Sequence, residues 1–339
     1  MKKHLLPVFA LFAIAVFLFC CYSCRFNTGG TWKDDHIDDD LRNQINALNK
    51  KLLQNIKTGD VAAVKKMMSQ PLLDSATNVI DTLVHNTSQA LTGDGFNIID
   101  EFYVKNIADG VTNTLFSNRG NIKDYKISFV AINKESYTSL IVPQTANESG
   151  VILISYGKYN SDWKINMLYL GERKLLGKTA PEYYQLAKVS YQHGDLIDAV
   201  DQMAIAKAIA RPVKDYFRYM DEDSMKNLLQ KAVADCKTAY HFPITVNIST
   251  KPQIFQELPQ VADEGTPQGI FPIIRYKSNI PLKDTIALKA EKDNVQKVIG
   301  TIFKGIDTYN DYIIYQACDK IPANAQETIH RYGFLEKQK

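Results

Sequence analysis

Cysteine is scarce beyond the N-terminus. Five occur in 339 residues, and Cys20, Cys21 and Cys24 sit together, leaving only Cys236 and Cys318. Two thiols cannot form the disulfide framework on which small secreted scaffolds rely, although a single Cys236–Cys318 bridge stays open. Glycine-rich phosphate loops are missing too: neither G-x-x-x-x-G-K nor G-x-G-x-x-G occurs. No G-x-S-x-G elbow is present, which argues against an α/β-hydrolase. His36, His85, His193, His241 and His330 stand singly, and no two share the i, i+4 spacing of a helical zinc site. An excess of one charge is also lacking, since the formal net charge is +3. No basic stripe points to nucleic acid or to a polybasic membrane patch. These absences lead to the expectation of no cofactor, no metal and no nucleic-acid partner.

What is present begins with a leader. Lys2, Lys3 and His4 precede an apolar run from Leu5 to Phe19, the layout of an export signal. Extended to Tyr22, the run reaches the lower limit for spanning a bilayer, so an uncleaved anchor remains an alternative, as does plain secretion. The segment resembles a bacterial lipoprotein signal, in which a cysteine after the cut receives a diacylglyceryl group. Ser23 supplies the small residue before Cys24, and Leu18 stands three positions before Cys21. The resemblance implies lipid attachment at Cys24, with Cys21 as the alternative. Without residues 1–23 the chain carries a formal charge near +1. It is then expected to sit in the cell envelope, held outside the cytoplasm on a membrane by its lipid.

Residues 24–37 are polar, glycine-bearing and aperiodic, and read as a tether. The acids in "DDHIDDD" (34–40) and His36 are ligand types. Adjacent acids before a helix serve more simply as caps that oppose the helix dipole. Leu41, Ile45, Leu48, Leu52 and Ile56 then make a helical stripe, stopped at "TGD" (58–60). Val61, Val64, Met67 and Met68 continue as a second helix, and Val79 to Leu91 as a third, ending near Gly93. Ile98, Ile99, Phe102, Tyr103 and Ile107 suggest a fourth. From residue 125 the period becomes two, in "YKISFVAI", "YTSLIVP", "GVILISYGKY" and "DWKINMLYLG". Short joints make these four strands antiparallel neighbours.

The opening helix, the Gly59–Asp60 break and the closing Trp163–Lys164–Ile165 strand resemble NTF2-like (cystatin-like) domains of exported bacterial proteins. The match covers residues 38–171. It implies a cone of helices on a curved antiparallel sheet enclosing a pocket, in a family where some members are enzymes and many only bind or scaffold. Asp100 is the candidate pocket acid, with Glu101 beside it. "TGDGF" (92–96) lacks the alternating acids of a calcium loop and reads as a turn.

Residues 183–212 resemble a tetratricopeptide (TPR-like) unit. Leu186, Ala187 and Tyr191 stand on its first helix, Gly194–Asp195 at its turn, and Ala199 and Ala206 on its second helix, with Pro212 closing it. Two more helices are expected, at 213–220 and 225–236, giving a helical segment over 180–240. Residues 241–339 read as a second α+β unit. Its strands are expected at 242–249, 269–277, 284–290 and 311–318, with a loop from 250 to 268. A helix carries Val295 to Ile306, and a short one lies around Ile329.

The expected fold is therefore α+β: helices on an antiparallel sheet, a helical hairpin layer, then a small α+β unit. The first functional expectation is a non-catalytic binding or scaffolding protein with a protein or envelope-polymer partner. A small-ligand or enzyme site in the NTF2-like pocket, and a TPR-like protein–protein adaptor, are the alternatives. Tyrosines among acids in "YMDEDSM" (219–225) and "IDTYNDYIIY" (306–315) are read as edge residues rather than stacking platforms.

Overall fold

The computed structural model describes residues 29–338, apart from residues 147, 263, 264, 266 and 325. Cys21, Cys24 and the leader therefore lie outside the described residues.

Strand β1 (Gly30–Lys33) opens the fold and pairs with the far end of β2, Trp32 opposite Tyr103, so the expected tether is partly sheet. Helix α1 (Asp39–Lys57) is capped by Asp38, whose carboxylate accepts the Leu41 N–H, as the acid run implied. Its stripe buries Ile45, Leu52, Leu53 and Ile56. Gly59 takes a left-handed φ of 69°, and Asp60 caps α2 (Val61–Met67). Ser69 then caps α3 (Gln70–Ala90).

The segment expected as a fourth helix is instead a long strand, β2 (Leu91–Lys105). It is followed by β3 (Val111–Phe116), β4 (Tyr125–Ala131), β5 (Glu135–Thr145), β6 (Gly150–Tyr159) and β7 (Asp162–Glu172). The main sheet is antiparallel in the order β1-β2-β5-β6-β7. Strand β4 does not pair with β5 as expected. It joins a separate sheet with β3 and β10 (Phe217–Tyr219). Between them lie the short pair β8 (Lys174–Leu175) and β9 (Lys178–Thr179), α4 (Ala180–His193) and α5 (Leu196–Ala208). The expected helix at 213–220 is a 3-10 turn (Lys214–Tyr216) running into β10. Helix α6 (Glu222–Ala239) follows.

The C-terminal unit holds a sheet in the order β11-β12-β13-β14-β15. Its strands are β11 (Ile244–Thr245), β12 (Gln253–Ala262), β13 (Gly269–Lys277), β14 (Tyr312–Cys318) and β15 (Arg331–Lys337). Helices α7 (Thr285–Ile302) and α8 (Ile306–Tyr309) lie between β13 and β14, which pair in parallel. A crossover helix of this kind is what parallel neighbours require. Three expectations are overturned here. The loop at 250–268 contains β12, the strand at 284–290 is the start of α7, and β15 follows where a helix was expected around Ile329.

Both faces of the main sheet are packed. On one, Ile141, Ile152, Ile154, Trp163 and Ile165 meet α1, α2 and α3. On the other, Phe102, Val104, Leu140, Val151, Leu153 and Met167 meet the small sheet and α4, α5 and α6. Burying an aliphatic or aromatic side chain contributes roughly 1.5–3 kcal/mol. Sandwiching the sheet between two layers is thus the main source of order in this half.

Candidate functional site

A cleft of about 570 Å³ opens where the β6–β7 hairpin meets α1 and α2. Its size falls in the range of small-ligand sites. The hairpin turns at Asn160, whose left-handed φ of 54° suits asparagine better than most residues. The turn brings Asp162, Trp163 and Lys164 to the mouth of the cleft. Leu48 and Met67 supply apolar wall, while Lys51 and Lys66 project from α1 and α2 at the rim.

The Trp163 ring is fixed on several sides. Tyr103 meets it edge-on at 6.5 Å, Trp32 packs on Tyr103 at 5.5 Å, and the Lys158 ammonium sits 5.8 Å over its centroid. Glu135 accepts from both the Tyr103 hydroxyl (2.7 Å) and Lys158 (3.2 Å). Burial alone would raise the Glu135 pKa, but these two donors outweigh it and hold the carboxyl below its ordinary value. Burial and the Glu135 charge together raise the Tyr103 phenol above its usual value. Beneath the cleft, the Tyr156 hydroxyl donates to Asn49 (2.9 Å), which donates to Ser139 (3.1 Å). These satisfied polar groups tie α1 to the sheet and leave little freedom in the floor.

The charge at the mouth is uneven. Lys164 is held in place by donating to the Lys66 carbonyl at 3.0 Å. Among the described residues neither Lys51 nor Lys66 makes an ion pair, and Asp162 is the one carboxylate in the lining. Three ammonium groups beside an aromatic and aliphatic wall can accept an anionic group on a partly apolar body.

Asp100 and Glu101 lie elsewhere. A bulge in β2 between Ile98 and Asp100 lets these adjacent residues both be buried, each about 1% exposed. Asp100 pairs with Lys33 and Arg119, both at 2.8 Å, and accepts from the Tyr125 hydroxyl. It is thereby enclosed in a structural ion network rather than facing an open pocket. Glu101 meets Arg42 at 3.4 Å; burial raises its pKa, against the opposing pull of Tyr137 and Arg42. The first acid run is likewise engaged. Asp34 accepts the Glu101 N–H, Asp35 and Asp39 pair with Arg42, and Asp38 caps α1. Among the described residues no group of three His, Cys, Asp or Glu side chains is placed to hold a metal.

Cys236 and Cys318 are both free thiols, with pKa values pushed by burial to about 12 and about 11. Such thiols are poor nucleophiles. His193 sits exposed at the α4–α5 turn, 3.9 Å from Asp195. In the α4–α5 pair, Ala187, Ala199 and Ala206 are fully buried, whereas Leu186 is 40% exposed. A second groove of about 410 Å³ runs between α5 and α6, floored by Met203, Met225 and Leu229. Tyr219 is buried in β10 and Tyr315 in β14, while Tyr309 is exposed.

Two features escaped the sequence reading. Lys51 and Lys66 look like ordinary solvated lysines, and only the hairpin's approach makes them a rim. Asp198 and Asp201, buried on α5, and Glu257, half-buried on β12, form an acid cluster. A trace of it is present in "DLIDAVDQM" (195–203), where Asp198 and Asp201 stand one helical turn apart amid apolar residues. Glu257 lay in a segment read as loop.

No protein-family model, no curated protein and no solved structure matches this chain. Among the described residues no helix is long and apolar enough to cross a membrane.

Proposed function

We propose that the chain is an exported, lipid-anchored protein of the cell envelope with a non-catalytic binding or scaffolding role. The Trp163 cleft is its contact site for an envelope polymer or protein. The observation that carries this reading is the lysine rim: unpaired cations at the mouth of a rigid aromatic cleft suit holding a partner. An enzyme or small-ligand site in an NTF2-like cone has less support, because the sheet face beneath α1 to α3 is filled by Tyr137, Ile141, Ile152, Ile154 and Ile165. A TPR-like adaptor is a second reading, favoured by the methionine-floored α5–α6 groove, since methionine adapts to varied partners.

The test combines two measurements. In chains that begin at Gly29 and so carry no lipid, Lys51→Glu with Lys66→Glu is expected to weaken retention on isolated envelope material at least about tenfold, the equivalent of 1.4 kcal/mol. Both side chains are exposed, so the thermal midpoint is expected to hold. Unchanged retention would remove the cleft from the function. Intact mass of the membrane-extracted protein is expected to show the residues before Cys24 gone and acyl chains added. An intact leader would replace the lipid with a plain anchor.

A further inference from the structure

Helix α5 belongs to two cores at once. Ile197 packs with the C-terminal unit, while Met203, Ile205 and Ala206 pack with the main-sheet half. Between these anchors, on the same helix, sit Asp198 and Asp201, only 5% and 3% exposed. Glu257 reaches Asp201 from β12, and its Oε1 is enclosed. Asn310 donates to Asp198 Oδ1 at 2.7 Å. Asp198 Oδ2, both Asp201 oxygens and Glu257 Oε1 receive no hydrogen bond from any donor among the described residues.

Among the described residues no cation pairs with these carboxyls. The groups that face them from the neighbouring elements are Asp195 at the start of α5, Cys236 and Asp235 on α6, and Tyr240 just beyond it. Asp235 is engaged by the Tyr191 hydroxyl. Near Asp195, Lys304 is turned to the His193 carbonyl, to which it donates, and His193 stands 3.9 Å from the Asp195 carboxylate. Two enclosed carboxylates in contact without a cation are strongly unfavourable. One proton between them turns the repulsion into a charge-assisted hydrogen bond.

We propose that Asp201 and Glu257 share a proton at neutral pH and that this proton is the latch joining the helical layer to the C-terminal sheet. Burial first, and then the Asp198 charge beside Asp201 and the Asp201 charge beside Glu257, holds both carboxyls well above the carboxylate range against the pull of the Glu257 hydrogen bond on Asp201, and Asp198 is pushed up to about 6 by burial and Asp195. A carboxyl whose pKa is raised by folding makes the folded state bind more protons than the unfolded one. Stability therefore falls as pH rises from the unfolded value toward the folded one, and the junction is firmest in mild acid.

Thermal midpoints of wild type, Asp201→Asn and Glu257→Gln between about pH 6 and pH 9.5 test this. The amides mimic the protonated acid and cannot ionise. Wild type is expected to lose several degrees across the range, and each variant to lose less than half as much. Parallel profiles would overturn the latch. Infrared spectra of the unaltered protein decide it even if a variant fails to fold. A protonated carboxylic-acid carbonyl band at neutral pH that disappears at high pH is expected, and absence of that band overturns the proposal. Recovery of the high-pH midpoint with calcium or magnesium ions would also overturn it, making the cluster a cation site instead.

Discussion

At the scale of single residues, the ion network around β2 shows how far a carboxylate's role depends on distant partners. Glu101 is almost fully buried, with Arg42 as its one cation among the described residues and Tyr137 beside it. Arg42→Met keeps the apolar stem and removes that charge. Breaking a buried pair from one side costs about 3–5 kcal/mol, and the lower end is expected because Arg42 is itself partly exposed. The penalty belongs to the charged carboxylate. Burial has already raised the Glu101 pKa, so the variant's carboxyl protonates more readily still as the pH falls. The loss in urea midpoint is therefore expected to be large at about pH 8 and clearly smaller at about pH 5. Equal losses at both would show that Arg42 acts by packing alone. From sequence, Asp100 and Glu101 were visible as acids but not as network members. Lys33, Arg42 and Arg119 come from three separate parts of the chain, and the β1–β2 pairing, helix α1 and the β3–β4 loop deliver them in turn.

Among the elements, close approach of two backbones sets the sharpest constraint. A Cβ added at Gly171 in β7 would lie 1.5 Å from the carbonyl oxygen of Pro212, on the segment joining α5 to β10. Backbone cannot swing aside as a flexible side chain can. Gly171→Ala is expected to cost about 3 kcal/mol, the upper end of ordinary overpacking, read as a lowered denaturant midpoint. Gly333→Ala in β15 is the control, since nothing lies within 4 Å of its added Cβ and its midpoint is expected to stay close to wild type. The same local logic explains which elements were legible. Helix α1 announced itself through a regular stripe and an acid cap, and β13 through β-branched residues between glycine and lysine. Strand β2 did not, because its bulge after Ile98 breaks the alternation and leaves apolar residues at helix-like spacing. Strand β12 carries Glu257 and Pro259, which read as loop. Beyond Ile254 its second edge has no partner in β11, and an unpaired edge tolerates a missing N–H. The start of α7 mimics a strand because Ile286 and Leu288 alternate, yet Ile286 is 84% exposed. Asp284, accepting the Ala287 N–H, was the signal that marked a helix there.

For the molecule as a whole, the decisive fact is that its cores interlock across the boundaries that composition suggests. The antiparallel α+β character could be read from the switch in hydrophobic period. The covering of the sheet's second face could not, because strands buried on both sides give continuous apolar runs that do not say what lies against them. Much of that covering comes from far along the chain. Phe217 of β10 stacks on Tyr125 at 4.6 Å, and Tyr183, Ala187 and Met203 complete the layer. A fragment ending at residue 179 keeps α1 to α3, the main sheet, β3 and β4 but loses β10 and α4 to α6, so that Phe102, Val104, Leu140, Val151, Leu153 and Met167 keep only the β3–β4 hairpin as cover. So large a contiguous apolar face is expected to prevent a well-packed fold. Far-ultraviolet circular dichroism of that fragment should retain secondary structure while its thermal transition broadens and a hydrophobic dye binds. The full chain should melt sharply and bind little dye. Extending the fragment to residue 240 restores the covering layer and should recover a sharp transition, though a weaker one, because Ile197 and the Asp198–Asp201 pair then lose the C-terminal sheet. A shorter fragment that melts as cooperatively as the whole would mean that the sheet and its three helices are self-sufficient, with the helical layer merely docked upon them.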